Sequence, residues 1–135
     1  MNDQDKAKRS EAVLAQVTSD RGFAREWTKV LAERDPECME LVHRLTMHAL
    51  HRRSSLPLKF KELILICLNA FDYYEFGFRI HVRSALKCGA TEDEILEALE
   101  VVGIQKIHAL TSMLPVLAEE VRASQRARDE GGEAR

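Results

Sequence analysis

Glycine and proline are scarce in this sequence, with six glycines and three prolines in 135 residues. No segment alternates apolar and polar residues over the length of a β-strand, so the pattern of a half-buried strand is lacking. Apolar residues recur instead with a period near 3.6, which is typical of amphipathic helices. The sequence therefore predicts an all-α fold with about six helices.

An excess of charge of one sign is also lacking. The formal net charge is −2 and both signs are mixed along the chain, which gives no basic surface for nucleic acid or for anionic lipid. The longest apolar run, "LILICLNAF", lies between Glu62 and Asp72 and is too short to span a membrane. The first residues, "MNDQDKAKRS", lack the apolar core of a signal peptide. We expect no nucleic-acid partner and no membrane partner.

Paired cysteine motifs are absent as well. The three cysteines, Cys38, Cys67 and Cys88, are an odd number and none of them forms a CxxC motif. This usage favours reduced thiols and a cytoplasmic location. We expect the three side chains to act as small buried apolar groups.

The ends of the chain are charged and poor in apolar residues. We expect flexible segments at 1–10 and 124–135, on either side of one domain at 11–123. The first helix or helix pair should cover roughly Glu11 to Glu33. Its buried side is predicted to consist of Trp27, Val30 and Leu31.

Local signals divide the rest of the chain into helices. Asp35 and Pro36 are typical of a helix start, and Pro57 opens the next helix. Thr91 and Glu94 have the spacing of a capping box. Gly103 should break or bend the following helix, and a last helix should run from about Ile107 to Ala123, with Pro115 near a kink.

One glutamate and one histidine are predicted to lie level with each other. Glu62 lies about nine residues before the short link at Phe71–Asp72, and His81 about nine residues after it. A short link favours an antiparallel helix pair, so both residues should stand roughly 14 Å from the turn. A carboxylate beside an imidazole can orient it for proton exchange near neutral pH. Because helix rotation is not fixed by this count, Glu62 could instead face a solvent-exposed edge or pair with Lys59.

Two segments resemble a known family. "KELILICLNA" and "HVRSALKCGATEDEILEALEVVG" are similar to the carboxymuconolactone decarboxylase family, which belongs with the alkylhydroperoxidase D enzymes in one all-helical superfamily. The resemblance covers about Arg21 to Val121. It implies an alkylhydroperoxidase D-like helical bundle that assembles into homo-oligomers, either trimers or hexamers.

The resemblance also separates two branches of this superfamily. The peroxidase branch has a Cys-x-x-Cys-x-x-x-His motif, with a glutamate on the preceding helix. In this chain the histidine corresponds to His81 and the glutamate to Glu62, but the cysteine positions hold Tyr74 and Gly77. Cys67 and Cys88 should lie roughly 16 Å apart along the helices, too far for a disulfide. Thiol peroxidase activity is therefore not expected.

The decarboxylase branch keeps the glutamate and the histidine without the thiols. Its reaction removes CO₂ from γ-carboxymuconolactone in aromatic-compound breakdown and needs no organic cofactor or metal. The resemblance implies a lyase that acts on a small anionic substrate, with His81 as proton donor or acceptor and Glu62 as its orienting partner. Tyr74 is a candidate hydrogen-bond donor to the lactone oxygen. The candidates for substrate binding are Arg79, Arg83, Lys106 and His108.

Two other functions stay open at this stage. Glu62, His81 and His108 have the ligand types of a catalytic metal site, although no local spacing supports one. Alternatively, the chain has lost its chemistry and serves as a non-catalytic accessory oligomer. Metal analysis of the purified protein would test the first alternative, and a His81→Gln variant would test the second.

Overall fold

The computed structural model describes residues 2–132 and shows an all-α protein, as the sequence predicts. Within these residues there are seven α-helices, one π-helical turn and no strand. None of the described helices is both long and apolar enough to cross a membrane. The helices are α1 (Asp3–Arg21), α2 (Glu26–Arg34), α3 (Pro36–Met47), α4 (Leu58–Phe71), α5 (Glu75–Lys87), α6 (Glu92–Gln105) and α7 (Ile107–Gly132), and the π-helical turn His48–Arg52 follows α3.

Contacts between the helices divide the chain into two compact units, one up to Arg53 and one from Ser54 onwards. The first unit contains α1 to α3 and the π-helical turn, and the second contains α4 to α7. Each unit has its own apolar core. The domain limits expected from the sequence, 11–123 with flexible ends, stay a prediction, but the helices at both ends are longer than expected.

The first unit begins with a helix that starts earlier than predicted. Residues 3–10 belong to α1 rather than to an irregular segment, because Asn2 caps the helix with a 2.8 Å bond from the Asp5 amide to its side-chain oxygen. Arg9 then binds Glu40 of α3 through Nε and Nη2, both at 2.7 Å. A capped start and a bidentate ion pair explain helix formation in a segment with few apolar residues.

The predicted buried side of α2 is confirmed at Leu31, which packs partly buried against the core of this unit, and is wrong at the other two residues. Trp27 and Val30 are 43% and 48% exposed, while Thr28 and Ala32 are the buried residues of this helix. The period of the apolar residues shows that a face exists, but it does not show which face the neighbouring helices cover. The core of this unit consists of Val13, Val17, Ala32 and Met39.

The second unit is built around the α4–α5 pair. The link between these helices turns at Tyr73, which has a positive φ of 55°, and the amide of Tyr74 donates to the carbonyl of Asn69 at 2.8 Å. The predicted capping box of α6 is confirmed, with Thr91 and Glu94 bonded in both directions at 3.1 and 2.9 Å. The largest fully buried side chains of this unit are Phe78, Ile66, Ile95, Leu99 and Val82.

The last helix begins at Ile107 as predicted, but its end differs from the prediction. α6 continues through Gly103 to Gln105, and the chain leaves helical geometry at Lys106, with φ −153°. α7 runs through Pro115 and past Ala123 to Gly132. The segment "RASQRARDE" has no proline or glycine and is rich in alanine and arginine, so it extends the helix although few of its side chains are buried.

Candidate active site

Glu62 and His81 are in contact, as their equal distance from the helix link predicts. Oε2 of Glu62 on α4 lies 2.7 Å from Nδ1 of His81 on α5. Lys59, the other partner considered for Glu62, instead bonds Oε1 of Glu94 at 2.7 Å. The carboxylate of Glu62 therefore bonds to His81 and not to Lys59.

The two side chains differ in their exposure to solvent. The side chain of Glu62 is 5% exposed and that of His81 is 23% exposed. Burial of an unpaired carboxylate costs free energy. The hydrogen bond to the imidazole of His81 offsets this cost for Glu62 in the apolar helix α4. In return, the buried carboxylate fixes the orientation of the imidazole ring.

The contact also determines which ring nitrogen of His81 carries the proton. A carboxylate accepts hydrogen bonds, so Nδ1 is the protonated nitrogen and Nε2 has a free lone pair in the neutral ring. Within residues 2–132, Nε2 has no hydrogen-bond partner, and it is not among the buried unpaired atoms. Nε2 therefore presents a proton acceptor to solvent or to a bound molecule.

Tyr74 and Gly77 lie on the His81 side of α5, near Asn69 of α4. A Cβ atom at Gly77 would stand 2.0 Å from Oδ1 of Asn69 and 2.7 Å from Cδ1 of Tyr74. The missing side chain thus allows the amide of Asn69 and the ring of Tyr74 to pack directly on the helix backbone. Sequence reasoning missed Asn69, although its spacing of seven residues from Glu62 puts both on one face of α4.

Arg79 and Arg83 do not reach the Glu62–His81 pair. They lie two residues before and after His81, about 200° around the helix, and both bind Glu120 of α7. Arg83 holds both carboxylate oxygens of Glu120, and Arg79 also binds Glu75 and Glu119. The structure thus places these two candidates for substrate binding in a separate ion-pair cluster.

Glu120 is a second buried carboxylate that sequence reasoning missed. It is 4% exposed, and its hydrogen bond from Arg83 lowers its pKa below the usual range, with Arg79 adding to the effect. The hydrogen bonds that Arg79 donates to Glu75, Glu119 and Glu120 raise the pKa of its guanidinium. The available signal was the same as for Glu62: a carboxylate at core spacing in an apolar helix segment, here "LPVLAEEV".

Lys106 and His108 lie at the junction of α6 and α7. The Lys106 ammonium donates to the carbonyl of Phe71 at 2.6 Å and lies 4.2 Å from the ring centroid of Tyr73. Lys106 therefore caps a carbonyl at the C-terminal end of α4, and this bond competes with binding of a substrate carboxylate. His108 is exposed in the first turn of α7.

A metal site at Glu62, His81 and His108 is not formed. Over the described part of the chain, no three side chains of histidine, cysteine, aspartate or glutamate are grouped so that they could hold a metal ion. Glu62 and His81 supply two ligand types, and His108 does not join them as a third. This arrangement gives no support to the metal-dependent alternative.

The cysteines are free thiols, and each is half-buried rather than fully buried as expected. Cys67 is in α4, where its Sγ lies 3.7 Å from the carbonyl oxygen of Ala98. Burial raises the pKa of the Cys67 thiol, which disfavours the reactive thiolate. The absence of thiol peroxidase activity stays a prediction.

Comparison with known proteins identifies the family of the chain. The family model described as "Carboxymuconolactone decarboxylase family" matches residues 36–115, which include both Glu62 and His81. The chain belongs to the carboxymuconolactone decarboxylase family. Its membership agrees with the resemblance carried by the α4 and α5 segments.

A solved structure supports the same assignment. The chain is similar to a candidate carboxymuconolactone decarboxylase from Burkholderia xenovorans LB400, with 27% identity and a TM-score of 0.68. The similarity covers 99% of this chain and 99% of the other. No curated protein matches the chain. The chain therefore shares the all-α fold of this solved structure.

Proposed function

We propose that this chain is a cofactor-free carbon–carbon lyase, similar to γ-carboxymuconolactone decarboxylase. The observation that carries the proposal is the 2.7 Å contact between Glu62 and His81, which leaves Nε2 of the histidine available. Membership of the family supports a decarboxylase-type reaction. The substrate is a small carboxylated lactone or a related anionic ring compound, as in aromatic-compound catabolism.

The reaction needs one bond to break and one proton to be returned. When the substrate carboxylate leaves as CO₂, the electrons of the broken carbon–carbon bond pass into the conjugated lactone. A proton then adds to ring carbon, and His81 exchanges that proton through Nε2 with the substrate and with water. Glu62 holds the ring in one orientation and balances the positive charge on the imidazolium while it carries the proton.

Other residues can assist the substrate. Tyr74 is 46% exposed, lies one helix turn before Gly77 and can supply a hydroxyl donor to the lactone oxygen. His108 is exposed and stays a candidate for substrate binding. Arg79 and Arg83 point away from His81 on α5, and Lys106 donates to the carbonyl of Phe71, so we no longer assign these three residues to the carboxylate of the lyase substrate.

The test is the decay of γ-carboxymuconolactone absorbance with wild-type protein and with His81→Gln. Loss of a general acid–base group lowers turnover by about 10²- to 10⁴-fold. His51→Gln is a matched control, because it removes an exposed imidazole from the π-helical turn. Turnover by the wild type and by His51→Gln, but not by His81→Gln, supports the proposal. Equal rates in all three proteins would contradict the role of His81.

One surface feature of α4 supports the alternative of a non-catalytic accessory oligomer. α4 exposes a stripe of large apolar side chains on the side away from Glu62, each between 44% and 54% exposed: Phe60, Ile64, Leu68 and Phe71. Such a stripe favours contact with another protein surface. We propose that a second copy of this chain covers it, in the trimer or hexamer that the family resemblance implies.

Light scattering separates assembly from catalysis. Ile64→Lys, or Leu68→Lys, should reduce the oligomer to smaller species if the stripe is the contact between copies. If the wild type assembles but turns over no lactone, the accessory function is favoured over the lyase. A cytoplasmic location stays a prediction.

A further inference from the structure

A cleft of about 530 Å³ lies between α5 and α7, and the proposed reaction makes no use of it. Its volume is within the range of pockets that bind small molecules. The lining residues are Arg83, Leu86, Lys87, Glu120, Ala123, Ser124, Ala127 and Arg128. The apolar floor of the cleft consists of the buried Leu86 and of the exposed side chains of Ala123 and Ala127. Three cations stand around this floor: Arg83, Lys87 and Arg128.

This cleft is separate from the Glu62–His81 pair. On α5 its residues follow His81 by two, five and six positions, which places them about 140° to 240° around the helix from the histidine. Neither Glu62 nor His81 lines the cleft. A molecule bound there would contact the opposite side of α5 from the imidazole.

The charges in the cleft are unbalanced. Glu120 is the one carboxylate among the lining residues, and it is already bonded to Arg79 and Arg83. Lys87 and Arg128 have no hydrogen bond or ion pair with any residue in 2–132. The cleft therefore has two cations that no protein carboxylate neutralises, one on each of its two helices.

Arg83 also has a hydrogen-bond donor in the cleft that no carboxylate among residues 2–132 uses. Its Nε and Nη2 are used by Glu120, which holds the guanidinium in one place, while Nη1 has no partner in the described chain. An arginine fixed by a buried carboxylate offers its other donors with little loss of conformational entropy. A ligand carboxylate suits these donors, and an apolar body suits the floor.

We propose that the α5–α7 cleft binds a small organic carboxylate with an apolar body. The carboxylate contacts Lys87 and Arg128, with Arg83 as a third donor, and the apolar body lies over Leu86, Ala123 and Ala127. This binding site is distinct from the proposed lyase site and does not depend on its reaction. It gives the protein a second place for a small anion.

The experiment is a titration of the full-length protein with hexanoate, followed by amide chemical shifts in NMR spectra. Hexanoate has a carboxylate and a short apolar chain, and 1-hexanol has a similar apolar chain without the charge. We expect saturable shifts in the low millimolar range at cleft residues with hexanoate. 1-Hexanol should give no saturable shifts there.

Two variants and one control locate the binding. Lys87→Gln combined with Arg128→Gln should weaken hexanoate binding about tenfold, because it removes both unpaired cations from exposed positions. Ala127→Leu fills the floor with a good helix former and should abolish binding. Arg126→Gln removes the same charge from α7 outside the cleft and should change binding by less than about twofold.

Several results would overturn the proposal. They are a lack of saturation with hexanoate, equal shifts with 1-hexanol, or a loss in Arg126→Gln as large as in the double variant. The last result would mean that hexanoate responds to the general charge of α7 and not to the cleft. Saturable, charge-dependent binding that Ala127→Leu abolishes supports the proposal whether or not the protein turns over a lactone.

Discussion

Residues 2–132 form two carboxylate–histidine pairs, one in each compact unit, and the two pairs differ in which partner is buried. Glu62 and His81 are joined at 2.7 Å, and Asp20 and His43 at 2.8 Å. In the first pair the carboxylate is 5% exposed and the histidine 23%. In the second the histidine is 6% exposed and the carboxylate 26%. The distances are alike, and the exposure is reversed.

This reversal decides which histidine can exchange a proton with a ligand. Nδ1 of His43 is buried and has no hydrogen-bond partner in the described part of the protein, so no substrate can reach it. The free nitrogen of His81 is accessible. A short contact with a carboxylate is therefore common to both histidines, and the exposure of the other ring nitrogen is what makes His81 the candidate for proton exchange.

Removing the charge of the carboxylate should have a large effect on turnover in the Glu62–His81 pair and none in the Asp20–His43 pair. Glu62→Gln should lower lyase turnover by about tenfold or more, because a neutral amide does not balance the charge that His81 acquires with a proton. Asp20→Asn makes the same chemical change in the other pair and should leave turnover unchanged. Steady-state rates on γ-carboxymuconolactone test both variants. Equal turnover in wild type and Glu62→Gln would remove the assigned role of Glu62.

Part of this site could be predicted from the sequence. Helix rise is nearly constant, so equal distances from the link were sufficient to place Glu62 level with His81. The partner of Arg83 could not be found in this way, because Glu120 lies 37 residues further along on another helix. Neither helix rotation nor the choice of neighbouring helix is encoded in a local pattern.

The same reasoning explains the errors in the fold. Helices were recognised from their period, but the prediction for α2 buried Trp27 and Val30, which are exposed. α1 and α7 are longer than expected because a side-chain cap, an ion pair and good helix formers extend them beyond their apolar residues. Apolar pattern alone misses these polar contributions.

A second comparison replaces each histidine with leucine. His81→Leu leaves Glu62 buried without a partner and should lower the free energy of unfolding by about 3 kcal/mol. His43→Leu leaves Asp20, which is partly exposed and can be hydrated, so the loss should be clearly smaller. Urea denaturation of the two variants measures both changes. A larger loss of unfolding free energy in His43→Leu than in His81→Leu would mean that the exposure of the carboxylate does not set the stability effect of the two pairs.

The close approach of α4 and α5 can be tested at Gly77. Gly77→Ala puts a Cβ 2.0 Å from Oδ1 of Asn69, so the amide must move, and we expect a loss of about 2 kcal/mol in unfolding free energy. Asn69→Ala combined with Gly77→Ala should recover part of that loss. Gly22 is the contrasting position, because no atom lies within 4 Å of a Cβ built there. The stability lost in Gly22→Ala would come instead from the positive φ of 79°, which alanine rarely adopts. Thermal unfolding that is unchanged in Gly77→Ala would contradict the close contact.

The smallest effect concerns the pH dependence of the Asp20–His43 pair. The hydrogen bond from Gln16, followed by that of His43, lowers the pKa of Asp20 below its usual 3.8. A carboxylate with a lowered pKa stabilises the folded state above its unfolded pKa, and this contribution is lost as pH falls through the folded value. The stability advantage of wild type over Asp20→Asn should therefore shrink as the pH is lowered from 5 to below about 3.8. Asp129→Asn, at an exposed position without a partner among residues 2–132, is the control, and urea denaturation across this range measures both. An advantage that grows with acid would reverse the sign of this linkage, and the bonds to Asp20 would then not stabilise its ionised form.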